Sequence, residues 1–209
     1  PAIEGRMMGA FALTEPSAGS DSGNIQTKAV KKDGGWVLNG SKRYITNGMD
    51  SDFTIVIAQT DPFLKKEGLA AFIVETKWKG YNVGKIEHKL GIKGSRTVEL
   101  SFEDLFVPDE NLLGEVGKAF KMFMKTLNGG RLGLAAGCVG SSKRAFEIAF
   151  KHASERVQFD QPIIMNQAIQ FYLARMRANI YLMEASTYNA ARMADEGKDM
   201  RLEAACVKL

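Results

Sequence analysis

The chain holds 209 residues, 45% hydrophobic and 25% charged, an ordinary globular balance with room for one large domain or two small ones. Its 28 Lys and Arg exceed 24 Asp and Glu by four, so the net charge is +4. The basic residues are scattered apart from pairs such as Lys31-Lys32 and Lys65-Lys66, which excludes a nucleic-acid surface as the expected role while suiting an anionic small ligand.

No stretch is long and apolar enough to predict a membrane span. The opening PAIEGRMMGAF has no cleavable apolar core after a basic start, so no targeting segment is visible. The chain begins on Pro1, and a helix starting at 201 does not finish. It reads as a fragment of a longer protein.

From Met7 to Leu13 the chain is an apolar run that predicts a buried strand. It passes directly into ALTEPSAGSD, a loop of small residues and hydroxyls. Gln26–Lys32 and Trp36–Asn39 flank Asp33-Gly34-Gly35 and predict a hairpin. Asn39-Gly40 and Asn47-Gly48 predict two further turns. Phe53–Gln59, Leu69–Glu75 and Thr97–Phe102 complete a set of six to eight strands. After Gly114 the period changes to helical. One helix is expected from Gly117 to about Glu155 and another from about Asn166 to Glu196. In the second, Ile169, Leu173, Met176, Ile180, Met183, Thr187, Ala190 and Ala194 form an apolar seam. Gly197 is expected to end it and Asp199 to cap the next helix. The fold class is therefore α+β. An antiparallel β-barrel or sandwich over residues 1–114 precedes part of an antiparallel helical bundle over 115–209.

Cys138 and Cys206 sit in apolar, helix-like surroundings and predict buried free thiols, hence a reducing compartment. His88 and His152 are expected at the surface, and no metal-ligand spacing appears.

Four stretches are candidates for chemistry. The first is Leu13–Asp21, where small residues let backbone N–H groups approach a flat ligand and Thr14 and Ser20 add hydroxyls. The second is Gly40–Gly48, where Tyr44 and Thr46 share one strand face. The third is Glu155–Pro162 with Gln167 following. There Arg156 suits a phosphate and Phe159 an aromatic base. The fourth is Leu127–Gly137, where glycines cost about 1 kcal/mol each in a helix. The Gly133/Gly137 spacing suggests close helix packing, and Arg131 suggests an anionic or carbonyl-bearing partner. Each stretch alone also fits a plain structural role: a β-connection, a strand end, a helix–helix loop, a packed helix.

Taken together and in order, the stretches resemble the acyl-CoA dehydrogenase family: Thr14-Glu15-Pro16 through Gly19-Ser20-Asp21, then Lys42-Arg43-Tyr44-Ile45-Thr46-Asn47-Gly48, then FEDLFVPDENLLGE from Phe102, then Asn128-Gly129-Gly130-Arg131, then Glu155-Arg156 with Phe159 and Gln167. The resemblance covers essentially the whole chain, and the wording LNGGRLGLAAGCVG looks closest to the very-long-chain branch. It implies a middle β domain and about half of a C-terminal helical bundle, without an N-terminal helical domain.

It implies FAD as cofactor, met by Phe11, Leu13, Thr14 and Ser20, with Tyr44 against the ring, Ile45 beside it and Thr46 donating to flavin N5. Arg156, Phe159 and Gln167 would bind the adenine and phosphate part of the FAD of a neighbouring subunit. Leu127, Asn128 and Arg131 would line the acyl-CoA entrance, with Ser20 near the pantetheine. The implied reaction is α,β-dehydrogenation of a fatty acyl-CoA in β-oxidation, with hydride transfer to flavin N5. Electrons would pass to an electron-transferring flavoprotein from a homodimer or homotetramer. The alternatives are an acyl-CoA oxidase of the same superfamily or a non-catalytic module that has lost the chemistry. No residue here is assignable as the catalytic base: the Glu of most members would lie beyond Leu209, and the other position used is Gly130. Asp160 stands where Gly is common. The compartment implied is the bacterial cytoplasm or the mitochondrial matrix.

Overall fold

The computed structural model describes all 209 residues, Pro1–Leu209. The chain divides into two compact units, Pro1–Phe123 and Met124–Leu209.

Seven strands make the sheet of the first unit: β1 (Gly9–Ala12), β2 (Lys28–Lys32), β3 (Gly35–Thr46), β4 (Phe53–Gln59), β5 (Leu69–Glu75), β6 (Tyr81–Ile86) and β7 (Thr97–Pro108). Their order is β1-β4-β2-β3-β7-β6, with β5 also paired to β4. Most pairs are antiparallel, as the turn-punctuated sequence leads one to expect. Two are not: β1 runs parallel to β4, and β2 meets β4 in parallel at Lys28 and Gln59. The sheet curls into a half-barrel.

The central strands β4 and β5 read FTIVIAQ and LAAFIVE and are buried along most of their length. Such continuous burial needs cover on both faces. One face meets a core that includes Leu38, Val56, Phe72, Val74, Leu100 and Phe102, each 2% exposed or less. Burying a side chain of this size contributes about 1.5–3 kcal/mol, enough for this face to fix the register of the sheet. The segment after β7 is laced to β5: Asn111 Nδ2 donates to Ile73 O at 2.9 Å, Leu113 N to Ala71 O at 2.8 Å and Gly117 N to Leu69 O at 2.9 Å.

The expected turn at Asn39-Gly40 is not made. β3 runs unbroken through it, paired with β7. Opposite Asn39 two β7 residues, Glu103 and Asp104, face one, with Asp104 at φ 47°. Asn39 holds this bulge through its side chain, accepting from Asp104 N at 2.9 Å and donating to Asp104 Oδ1 at 3.0 Å. Gly40 is needed for close approach: at φ 152°, an added Cβ would lie 2.6 Å from Thr27 Oγ1 and 2.7 Å from Thr27 Cα. An Asn-Gly pair signals a turn only where the chain reverses, and here it marks a place where two strands touch. The Asn47-Gly48 turn is made, with Asn47 at φ 63°.

In the second unit, α1 (Ala119–Glu155), which begins in the last residues of the first unit, is followed by a small hairpin of β8 (Val157–Gln158) and β9 (Gln161–Pro162), then α2 (Gln167–Asp195) and α3 (Arg201–Lys208). The apolar seam of α2 is narrower than its sequence suggests. Leu173, Ile180, Thr187 and Ala190 are buried, whereas Met176 and Met183 are exposed. Lys143 of α1 pairs with Glu184 of α2. Gly197 ends α2 at φ 69°, with Lys198 N bonded to Met193 O and Gly197 N to Ala194 O, the paired bonds of a Schellman cap. Asp199 Oδ1 accepts from Arg201 N at 3.1 Å at the start of α3. A Cβ at Gly133 or Gly137 would meet nothing within 4 Å, so the close packing their spacing suggests is not made. Cys138 and Cys206 are free thiols, but both are exposed rather than buried. Each lies on a helix face left uncovered, where local apolarity in the sequence does not translate into burial.

Gly40→Ala is expected to cost about 3 kcal/mol or more, because it adds a backbone clash to a rarely occupied φ. Gly34→Ala, with φ 72° but open space around it, should cost only about 1–2 kcal/mol. Urea midpoints of the two variants measure the difference, and equal midpoints would refute the close approach at Thr27.

Candidate functional site

The loop after β1 and the end of β3 lie side by side. Arg43 N donates to Thr14 O at 2.8 Å. Beneath this contact Lys42 is the largest fully buried side chain. Its Nζ donates to Glu15 Oε1 at 2.8 Å and to Leu13 O at 3.1 Å. Glu15 is 4% exposed. Its carboxylate also accepts from Gln26 N at 2.6 Å and Thr27 N at 3.0 Å. Glu15 and Ala18 exchange backbone bonds across the loop, N to O both ways. One buried carboxylate therefore ties the loop to β3 and to the segment leading into β2.

Burial alone would raise the Glu15 carboxyl. The Lys42 ammonium and the hydrogen bonds from Lys42, Thr27 and Gln26 reverse this and hold it below its ordinary value. Burial pulls the Lys42 ammonium down to about 8, opposed by Glu15.

The position of Lys42 requires a break in strand alternation. By simple parity Lys42, Tyr44 and Thr46 would share a face. Lys42 pairs with Leu100 and Ile45 with Val98, so Arg43 and Tyr44 together oppose Glu99. This bulge carries Tyr44 at φ 59°. Lys42 and Ile45 therefore both point inward, while Tyr44, 56% exposed, and Thr46 point outward. The shared outward face expected for Tyr44 and Thr46 is present. The bulge permits it without exposing Lys42.

Around this edge Phe11 is 37% exposed, Leu13 and Thr14 are half-buried and Ser20 is exposed. The Ile45 side chain is 2% exposed and lies in the core, so only its main chain is available to a ligand. Thr46 Oγ1 lies 3.4 Å from Thr97 Oγ1. The Arg43 guanidinium sits over the Tyr44 ring at 4.9 Å and is held from behind by Glu99 at 3.2 Å and Glu87 at 3.5 Å. Tyr81 Oη, buried, donates to Gly48 O at 2.7 Å and fixes the turn that follows Thr46. A cavity of about 820 Å³ opens at the far end of the loop, lined among others by Asp21, Gln26, Lys28, Lys65 and Lys66.

In the second unit Leu127, Asn128 and Arg131 lie on α1, and Arg131 Nη1 donates to Asn128 Oδ1. Arg156 is exposed where α1 ends, and its carbonyl accepts from Ile163 N at 2.8 Å across the hairpin. Phe159, 96% exposed, and Asp160 form its two-residue tip at φ 50° and 62°, the positive-φ pair of a type I′ turn. Asp tolerates this region, which answers how Asp160 fills a position where Gly is common. Gln167 follows at the first turn of α2, exposed.

Sequence reasoning overlooked the functional weight of Glu15 and Lys42. Two charged residues in polar motifs look solvated, and only the bulge, invisible in the residue pattern, turns Lys42 inward.

A curled β half-barrel with a donor-rich loop against an exposed aromatic strand edge, followed by long helices, defines an α+β class in which a sheet carries the ligand edge. Residues 10–105 match the acyl-CoA dehydrogenase middle domain and residues 117–209 the acyl-CoA dehydrogenase C-terminal domain. The chain belongs to the acyl-CoA dehydrogenase family. It is 46% identical over 209 residues to a short-chain specific acyl-CoA dehydrogenase of Megasphaera elsdenii, covering 100% of this chain and 55% of that protein. A chain from a structure of the electron transferring flavoprotein of Acidaminococcus fermentans superposes with TM-score 0.93 at 46% identity, over 98% of this chain and 54% of that one. The FAD complex of PigA superposes with TM-score 0.93 at 31% identity, over 98% and 54%. The chain thus spans about half the length of the proteins it matches. The Megasphaera relative is short-chain specific, and nothing in these likenesses specifies the very-long-chain branch.

The folded Glu15 value lies below its ordinary 4.5, so its contribution to stability is present above about pH 4.5 and lost as pH falls through the folded value. Lys42 is lowered from 10.5 to about 8, so its burial cost applies below pH 8 and eases between 8 and 10.5. Glu15→Gln should cost about 3–5 kcal/mol by stranding the ammonium. The double variant Glu15→Gln/Lys42→Met should stay within about 1–3 kcal/mol of the parent, the remainder coming from the unbonded Leu13 carbonyl and from the one of the Gln26 and Thr27 amides that faces the new side-chain NH2. Urea midpoints between pH 4 and pH 7 should shift less in the double variant than in the parent. An equal shift would show that the pair does not drive the acid response.

Proposed function

We propose that the protein containing this chain is an FAD-dependent acyl-CoA dehydrogenase. Residues 1–114 would act as its middle β domain and 115–209 as the first part of its C-terminal bundle. The observation that carries this is the outward edge of β3: an exposed Tyr44 ring and the Thr46 hydroxyl beside the Thr14 loop. The residues fit a planar, hydrogen-bonding cofactor. The loop is built of small residues, Phe11 and Tyr44 offer aromatic surface, and the ion pair supports the edge from beneath. The FAD bound by a structural relative supports the same reading.

FAD, when bound, supplies the hydride acceptor. The residues of this chain then have assignable parts. Phe11, Leu13, Thr14 and Ser20 would border the ring and its side chain, Tyr44 would cover the ring, the Ile45 main chain would lie beside it, and Thr46 would donate at N5. Donors placed before the reaction stabilise charge that develops on the ring. Arg156, Phe159 and Gln167 would hold the adenine and phosphate part of a neighbouring subunit's FAD, which makes the active form a homodimer or homotetramer. Leu127, Asn128 and Arg131, with Ser20, would receive the fatty acyl-CoA. The ammonium groups of Lys28, Lys65 and Lys66 beside the loop suit a polyanionic ligand such as the CoA portion. The reaction is α,β-dehydrogenation within β-oxidation. An electron-transferring flavoprotein would be the acceptor, in keeping with the relative found in that context. Cytoplasm or mitochondrial matrix would be the compartment.

The product of the whole gene should purify yellow, oxidise acyl-CoA and reduce an electron-transferring flavoprotein. A colourless protein that takes up no FAD would end this reading, and peroxide formed in air would replace the dehydrogenase with an oxidase. Thr46→Val should slow flavin reduction about tenfold to a hundredfold while leaving FAD affinity nearly unchanged, read by stopped-flow absorbance. Unchanged reduction kinetics would remove Thr46 from N5. Arg156→Ala should lose FAD on dialysis that leaves the parent loaded, and equal retention would remove Arg156 from the phosphate site.

A further inference from the structure

The flavin edge is made by two chain segments 27 residues apart in sequence, Glu15 and Lys42 marking their positions. One backbone bond, Arg43 N to Thr14 O, joins them at the surface, and beneath it a buried charged contact holds them. Lys42 Nζ reaches both Glu15 Oε1 and Leu13 O, and these bonds close the base of the loop against β3. The same side chain sits one residue before the Arg43-Tyr44 bulge. If position 42 turned outward, strand alternation would be restored with Tyr44 and Thr46 still outward, but Arg43 would turn inward and the loop would lose its tie to β3.

We infer that Glu15 and Lys42 are positioning residues for the cofactor edge: together they set the distance and register of Tyr44 and Thr46 relative to the Thr14 loop. This rests on the flavin reading above, and neither residue is placed in contact with the cofactor. The pair lies 0% and 2% exposed at its side chains, out of reach of a ligand at the edge. A charge pair confers a directionality that an apolar contact lacks. An ammonium bonded to one carboxylate oxygen and one carbonyl fixes both position and orientation, whereas a methionine of similar volume fills the space and lets the loop slide.

The test uses the whole-gene protein, with Glu15→Gln/Lys42→Met as the main variant and Lys42→Met as the second. Circular dichroism and urea melts first establish that the variant folds. Amide hydrogen exchange of the apo form then reads the loop 14–21 and strand 42–46. Titration with FAD reads affinity, and the flavin absorbance bands read the surroundings of the ring. A positioning role predicts exchange about tenfold or more faster, confined to these two segments. It also predicts FAD bound about tenfold to a hundredfold more weakly, with shifted flavin bands. A folded double variant with parental exchange, parental affinity and parental bands overturns the inference while leaving the flavin assignment standing. A parent that binds no FAD overturns both. Should the double variant fail to fold, Lys42→Met is read in the same way: it strands the Glu15 charge but keeps the Gln26 and Thr27 amides bonded to it. Collapse of both variants without any folded form would show a structural role alone and also overturn the inference.

Discussion

A lysine and a glutamate buried together are expensive to hold, since each loses its hydration and the mutual attraction offsets this only with good geometry and further bonds. Here the geometry is supplied. Lys42 has two acceptors, and the Glu15 carboxylate has three donors, two of them backbone amides. The pair has no obvious advantage in stability over an apolar substitute. Its distinctive property is direction: it connects the loop after β1, the segment entering β2 and the middle of β3. That connection lies directly beneath the outward edge of β3.

The bulge at Arg43-Tyr44 is the structural counterpart of that pair. A regular strand cannot bury residue 42 and expose 44 and 46. Adding one residue against Glu99 resolves the conflict, at the expense of a left-handed tyrosine. The cation over the ring, backed by two carboxylates, and the Tyr81 bond to the following turn then limit where Tyr44 and Thr46 can go. The site edge is therefore defined from below, from behind and from its far end.

These facts mark where residue patterns speak and where they stop. β4 and β5 were legible because long apolar runs have few alternatives, and the Asp33-Gly34 reversal and the Gly197 cap because glycine there supplies a positive φ. The ordered motifs made the family legible. The inward Lys42 was not legible, because a register shift of one residue leaves no trace in composition. The Asn39-Gly40 contact misled because the same dipeptide serves a turn and a close approach. The exposed cysteines and the exposed Met176 and Met183 misled because periodicity reports which side of a helix is apolar, and burial depends on what lies against it.

Two of the three aromatic residues proposed to meet the cofactor share a backbone peculiarity. Tyr44 and Phe159 lie on different elements in different units, yet each sits at positive φ, 59° and 50°, a region that bulky residues seldom occupy. Each is also well exposed, 56% and 96%. A strand or hairpin in regular conformation directs its side chains perpendicular to its surface, where neighbours bury them. A left-handed residue instead swings the ring clear of its own element, at a cost of about 1–3 kcal/mol. Folding alone gives no return for that cost, since an exposed ring contributes little. A return comes when the ring is covered by something else. The coincidence of strain and exposure at these two rings argues that the flat surfaces they present are meant for a ligand, whichever chain supplies it.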